Sequence, residues 1–248
     1  ARRSKEFRRM GRKANMTKLK VLDLFSGIGG FSLGLDRAGG FETVAFCEIE
    51  PFPRRVLAKH WPEVPCYEDV TKLTGDILRR DGISVDVITG GFPCQPFSCA
   101  ARGRNNAQDL WPQMERLAAE IKPRFAIAEN VQFNPVARAA DFFAEGLGLQ
   151  CDVINISSYD IGGDTERSRW WAIAHPYKNG ELQRAINAEA QKLSNLRAGV
   201  WGPENYRRAV CLSDGFPYRL GAGSFGNAVV PQIPELIGRA IMAAEETT

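Results

Sequence analysis

The chain has 248 residues, enough for one large domain whose core needs no disulfide or metal staple. Its 44% hydrophobic and 25% charged residues exclude a disordered chain, and no apolar run reaches the roughly 18 residues that cross a bilayer. The net charge of +3 is uneven: residues 1–15 hold seven basic side chains against Glu6, a net of +6, which leaves −3 on the rest.

The basic character therefore belongs to a tail. Residues 1–19 are expected to be an N-terminal extension, disordered and either upstream of a natural start at Met16 or a flexible arm that gains nucleic-acid affinity through counterion release. From Lys20 onward, short apolar runs alternate with helical patterns. Val21 to Phe25 predicts a buried strand, followed by a glycine turn and a helix over Phe31 to Ala38. Thr43 to Cys47 predicts a strand and Pro53 to Trp61 a helix. Val85 to Thr89 predicts a third strand running into Gly90-Gly91. Leu110, Met114, Leu117 and Ile121 mark a helix over 110–121, and Phe125 to Ala128 a strand. A helix over Ala137 to Gly146 and strands over Cys151 to Ile156 and Trp170 to Ala174 complete the pattern. This alternation predicts an α/β fold, a doubly wound and mostly parallel sheet covered on both faces. Ligands of such sheets lie outside the C-terminal strand ends, which directs attention to the residues just after each strand.

Residues 176–221 break the alternation, with a helix-like stretch over Glu181 to Leu196 and then loops rich in Gly, Pro and Asn. They are expected to form a small appendage on a main domain of residues 20–175. Residues 222–248, with a turn at Gly226-Asn227 and a helix over Pro234 to Ala244, return to that domain.

The cysteine and histidine inventory narrows the chemistry. Six cysteines include no C-x-x-C pair, and only His60 and His175 accompany them, so no zinc-ligand spacing exists and no metal is expected. A disulfide framework is not expected in a chain of this size without an export signal, which favours the cytoplasm.

Two strand ends carry polar chemistry. After the first strand comes Phe25-Ser26-Gly27-Ile28-Gly29-Gly30, whose glycines let a ligand approach the backbone ahead of a helix N-terminus. Glu48 ends the second strand 21 positions after Gly27, where a carboxylate accepts ribose hydroxyls, and Asp69 could meet an adenine amino group. Ser32 stands where a dinucleotide fingerprint has its third glycine, so a nucleoside cofactor without pyrophosphate fits better than NAD; a glycine turn is equally a structural device in this fold class. The second strand end is Gly90-Gly91-Phe92-Pro93-Cys94-Gln95-Pro96-Phe97-Ser98, which aims a cysteine from a loop stiffened by two prolines. Cysteine is intrinsically a strong nucleophile even when only a few per cent ionised. Glu129-Asn130-Val131 ends the neighbouring strand, so its carboxylate either sits beside Cys94 or forms a structural ion pair.

These motifs, in this order, resemble the cytosine-5 DNA methyltransferase family. Asp23 to Gly30 resembles its cofactor motif, Phe92 to Ser98 its nucleophile motif, Glu129-Asn130-Val131 its E-N-V motif, and Gly226 to Pro231 its closing motif. The resemblance spans roughly 20–175 and 222–248, and Asp109-Leu110-Trp111-Pro112 resembles phage and prophage members.

The resemblance implies methyl transfer from S-adenosylmethionine to carbon 5 of a cytosine flipped out of double-stranded DNA, by a protein acting as a monomer. It implies that Cys94 adds to carbon 6, Glu129 contacts N3 and the exocyclic amine, Arg169 contacts O2, and Arg167 supports the catalytic loop. Phe25, Gly27, Gly29, Glu48, Ile49, Asp69, Val70, Pro93, Leu110, Asn227 and Val229 then line the cofactor pocket, and Gln95, Ser98, Arg102 and Arg104 face DNA. Residues 176–221 become a target-recognition region, short for the family. Thr165 and Glu166 stand where the family places glutamine and a basic residue. A tRNA substrate, or a DNA-binding relative of weak activity, are the alternatives; the Cys-Phe-Thr tripeptide of the tRNA branch is absent.

Overall fold

A computed structural model of the chain describes residues 17–93, 109–161, 167–195 and 228–247. Among them, no helix is long and apolar enough to cross a membrane.

The predicted strands and helices form a seven-stranded sheet. In chain order the elements are β1 (Leu19–Leu24), α1 (Gly30–Ala38), β2 (Phe41–Cys47), α2 (Pro51–His60), β3 (Cys66–Tyr67), α3 (Gly75–Arg80) and β4 (Val87–Gly91). After these come α4 (Trp111–Ile121), β5 (Phe125–Asn130), α5 (Phe133–Glu145), β6 (Gln150–Ser157), a 3-10 turn (Ser158–Ile161), β7 (Ser168–His175), α6 (Glu181–Asn195) and α7 (Gln232–Glu245). The spatial order is β3-β2-β1-β4-β5-β7-β6. The first five of these positions pair in parallel; β7 runs antiparallel to β5, and β6 antiparallel to β7. Only ten residues separate β6 from β7, which close as an antiparallel pair, whereas a parallel return needs a crossover of a dozen or more.

The sheet is covered on both faces because its central strands carry apolar residues on both sides. Leu22, Leu24, Ile88, Ala126 and Ala128 face one layer with Trp111, Met114, Leu117 and Phe143 from α4 and α5. Val21, Val87, Phe125 and Ile127 face the other with Phe31 and Leu35 of α1, Leu182 and Ile186 of α6, and Ile237 and Ile241 of α7. The helix expected at the start of residues 176–221 thus packs into the second layer.

Several boundaries differ from the sequence reading, for identifiable reasons. Phe25 closes no strand: β1 stops at Leu24, and Phe25 has φ 52°, a left-handed turn residue. The strand expected over Val85 to Thr89 runs instead from Val87 to Gly91. Helix α5 begins at Phe133, four residues before the expected start, because Pro135 sits in the first turn, where a missing N–H costs nothing. Strand β3 and helix α3 were not expected: two and six residues are too few for a periodic signal.

Candidate active site

The reversal of strand order falls at β1, which lies between β2 and β4, and the turn after β1 opens the crevice where ligands of such sheets bind. The turn is built from left-handed residues: Phe25, Gly27 (φ 53°) and Gly29 (φ 86°). Glu48, at the tip of β2, is tied to it. The Gly27 N–H donates to Glu48 Oε2 at 2.7 Å, and the Glu50 N–H donates to Oε1 at 2.8 Å. Space above Gly27 is open, since a Cβ there would meet nothing within 4 Å.

Further along the rim, Ile49 is 63% exposed, unusual for an isoleucine beside two carboxylates. It opens onto a cleft of about 400 Å³ shared with Tyr67, Glu68, Asp69, Lys72, Leu73 and Ile77. The Thr71 hydroxyl and N–H both donate to Asp69 Oδ1, at 2.6 and 2.9 Å, and with Lys72 they hold the Asp69 carboxyl below its ordinary range. Val70 is buried beneath, and the Arg116 guanidinium of α4 clamps this segment by donating to the Val70 and Leu73 carbonyls at 3.0 and 2.8 Å. An open glycine backbone, an exposed apolar side chain and fixed carboxylates at two strand tips fit a nucleoside with a hydroxylated sugar. Leu110 sits at the N-cap of α4. Val229 closes the far side: a Cβ on Gly30 would lie 2.3 Å from its carbonyl oxygen, and one on Gly91 3.6 Å from its Cγ2. Gly30 is thus required by the close approach of the C-terminal segment.

The second half of the site lies at the ends of β4, β5 and β7. Glu129, 8% exposed, is flanked by Gly91 on β4; a Cβ on that glycine would come within 2.9 Å of Glu129 Oε2. Arg169 Nε lies 3.0 Å from Glu129 Oε1. Burial pushes the Glu129 carboxyl up to about 7, outweighing the opposing pull of Arg169 and Arg167. An ion pair alone argues for full ionisation, but a carboxyl this deeply desolvated stays poised between its two forms. Arg167 is itself held below its usual range by burial and by the like charge of Arg169. Next in the strand, the Asn130 side-chain amide donates to the Phe92 carbonyl at 3.0 Å, fixing the backbone that leads through Pro93 toward residue 94.

The structure therefore brings Phe25, Gly27, Gly29, Glu48, Ile49, Asp69, Val70, Pro93, Leu110 and Val229 to one rim of the sheet, and Glu129, Arg167 and Arg169 to the adjoining strand ends. Cys94, Gln95, Ser98, Arg102, Arg104 and Asn227, like Thr165 and Glu166, lie outside the described residues. Two residues that hold this geometry had no role assigned from sequence: Asn130, named there only as part of its motif, and Arg116. For Asn130 a signal existed, since it is a polar residue at the end of a strand whose first four residues are apolar. Arg116, on a helix face, gave none.

Comparison with known proteins places these residues in context. The model of the C-5 cytosine-specific DNA methylase family matches residues 19–197. The Type II methyltransferase M.HgiBI of Herpetosiphon aurantiacus is 39% identical over 205 residues, covering 76% of this chain and 45% of its own length. M.HgiCII of the same organism is 34% identical over 179 residues, covering 66% of this chain and 39% of its own length. The chain thus spans less than half the length of these relatives. Among solved structures, a prophage-encoded E. coli protein described as a DNA modification methyltransferase superposes with a TM-score of 0.55 at 31% identity, covering 66% of this chain and 50% of that one.

Proposed function

This chain belongs to the C-5 cytosine-specific DNA methylase family, and from that premise we propose that it transfers a methyl group from S-adenosylmethionine to carbon 5 of a cytosine extruded from double-stranded DNA. The observation that carries the proposal is the Glu129 carboxyl: buried, poised near neutrality, held by Arg169, and beside the strand that leads to Cys94.

Carbon 5 of cytosine is a poor nucleophile, and the side chains answer that difficulty. The Cys94 thiolate bonds to carbon 6, the 5,6 electron pair becomes a 4,5 double bond that makes carbon 5 nucleophilic, and the pair of the carbon 4–N3 double bond passes to N3. Glu129, protonated, gives its proton to N3 while its other oxygen accepts from the exocyclic amine; a carboxyl raised to about 7 is available in that form at neutral pH. Arg169 contacts O2, and Arg167 supports the loop that carries Cys94. When bound, S-adenosylmethionine supplies an electrophilic methyl group. The N3 proton then returns to Glu129, and loss of the carbon 5 proton to solvent restores the 5,6 double bond and expels the thiolate.

S-adenosylmethionine would be held by the rim from Phe25 and Gly27 to Val229: Glu48 would take the ribose hydroxyls, Ile49, Val70 and Asp69 the adenine, and Gly29, Pro93, Leu110 and Asn227 would complete the wall. Gln95, Ser98, Arg102 and Arg104 face DNA. Residues 176–221 read the target, residues 222–248 close the cofactor pocket, and the protein acts as a monomer.

Tritiated methyl transfer from S-adenosylmethionine onto DNA and onto tRNA tests this reading. Label on DNA that disappears with Cys94→Ala supports it; label on tRNA alone moves the chemistry to RNA; label on neither leaves a DNA-binding relative.

A further inference from the structure

One buried carboxyl has no place in the chemistry above. Asp23 is fully inaccessible in β1, between Leu22 and Leu24 and two residues before the left-handed Phe25. Burying a carboxyl is costly unless its oxygens are satisfied. The Ser32 hydroxyl donates to Asp23 Oδ2 at 2.8 Å, and the Thr89 hydroxyl donates to Oδ1 at 2.9 Å. The Ser32 backbone N–H is a third donor. These partners are hydroxyls and an amide, not cations.

Their positions matter more than their number. Ser32 lies in the first turn of α1, directly after the glycine turn. Thr89 is the register partner of Asp23 on β4, the strand that continues through Gly91 and Pro93 to residue 94. The main chain of Asp23 is committed as well, because the Ser26 hydroxyl donates to its carbonyl at 2.6 Å and in turn receives the Cys47 N–H at 3.2 Å. One residue therefore touches both flanks of the turn that carries Gly27 and the strand that leads to the nucleophile.

We infer that Asp23 is a positioning residue that fixes the cofactor-binding turn and the nucleophile-bearing strand relative to each other, through two separable arms: Ser32 for the turn and Thr89 for the strand. The inference rests on the function proposed above. Burial drives the Asp23 carboxyl up to about 7, so part of the population carries a charge that disfavours the folded state at neutral pH. A carboxyl that served packing alone would be better replaced by an apolar residue of similar size.

The test uses the full chain and the variants Ser32→Ala, Thr89→Val and Asp23→Asn. Readouts are calorimetric binding of S-adenosylhomocysteine, kcat and KM for methyl transfer, and the thermal midpoint. Losing one neutral hydrogen bond corresponds to a change of about 5–10-fold. Ser32→Ala is expected to weaken S-adenosylhomocysteine binding by about that factor and leave kcat at saturating cofactor within about twofold. Thr89→Val is expected to lower kcat by about the same factor and leave S-adenosylhomocysteine binding within about twofold. Asp23→Asn is expected to impair both. If the two single-arm variants shift binding and kcat in parallel, or move the thermal midpoint alone, Asp23 is structural and the assignment is overturned. A wild-type chain that binds no S-adenosylhomocysteine overturns the proposed function itself, and this assignment with it.

Discussion

Asp23 and Glu129 sit on the same face of the sheet, two strands apart, and burial pushes both carboxyls to about 7. Their partners are opposite in kind. Asp23 is sealed and held by neutral hydroxyls from α1 and β4; Glu129 is nearly sealed and held by the guanidinium of Arg169 at a strand end. A similar proton affinity therefore marks two different uses. A carboxyl surrounded by fixed hydroxyls organises backbone, whereas one paired with a cation at the rim can exchange a proton with a ligand and still be stabilised when it ionises.

The largest effect that would sharpen this contrast is expected at Cys94. Cys94→Ala is expected to lower methyl transfer on the order of 10⁴-fold or more while S-adenosylmethionine still binds, as for loss of any covalent nucleophile. A smaller but selective loss is expected of Glu129→Gln: kcat falls roughly 10²–10³-fold, and cofactor binding, measured by calorimetry, stays within about threefold. Equal loss of both would make Glu129 a structural residue and not a proton donor.

Arg169→Ala removes a charge that favours ionisation of Glu129, so the Glu129 carboxyl should rise further above about 7. The alkaline limb of the kcat profile should then move to higher pH, with kcat lower by about 10–100-fold. An unmoved limb would detach Glu129 from the pH dependence.

The smallest effect concerns stability. Because burial raises the Asp23 carboxyl, the folded chain holds that proton more tightly than the unfolded one. The resulting stabilisation is complete below the ordinary carboxylate range and is lost as pH rises through about 7. Asp23→Asn removes this dependence, so its thermal midpoint should exceed that of the wild type by about 2–4 °C at pH 8, a gap that narrows as pH falls toward the ordinary carboxylate range. Glu129→Gln should gain less, because it leaves Arg169 without its counter-charge.

The sheet was legible because its strands are largely apolar runs and its helices show the expected spacing, as in Phe125 to Ala128 and in Met114 with Leu117. What was misjudged is equally physical. Pro51 and Pro135 fall in first helical turns, where proline is tolerated, yet those helices were expected to begin two and four residues later. For α3 the cue was present: the Thr74 hydroxyl accepts the Ile77 N–H as an N-cap. The strand-end residues Glu48 and Glu129 could be located because motif and strand coincide. The buttresses could not, since the reach of Arg116 to two carbonyls and the alignment of Asp23 with Thr89 depend on segments far apart in the chain.

The central claim is that a sulfur beside Glu129 attacks a cytosine whose carbon 5 then receives the methyl group. Substituting fluorine for the carbon 5 hydrogen blocks the final proton loss and should arrest the reaction after methylation. Mass spectrometry of the chain incubated with S-adenosylmethionine and a 5-fluorocytosine duplex measures this directly. The account predicts a covalent protein–DNA species carrying one added methyl group, with the crosslink mapped to Cys94 and absent from Cys94→Ser. A full yield of adduct from Cys94→Ser, or a crosslink at another residue, would contradict it.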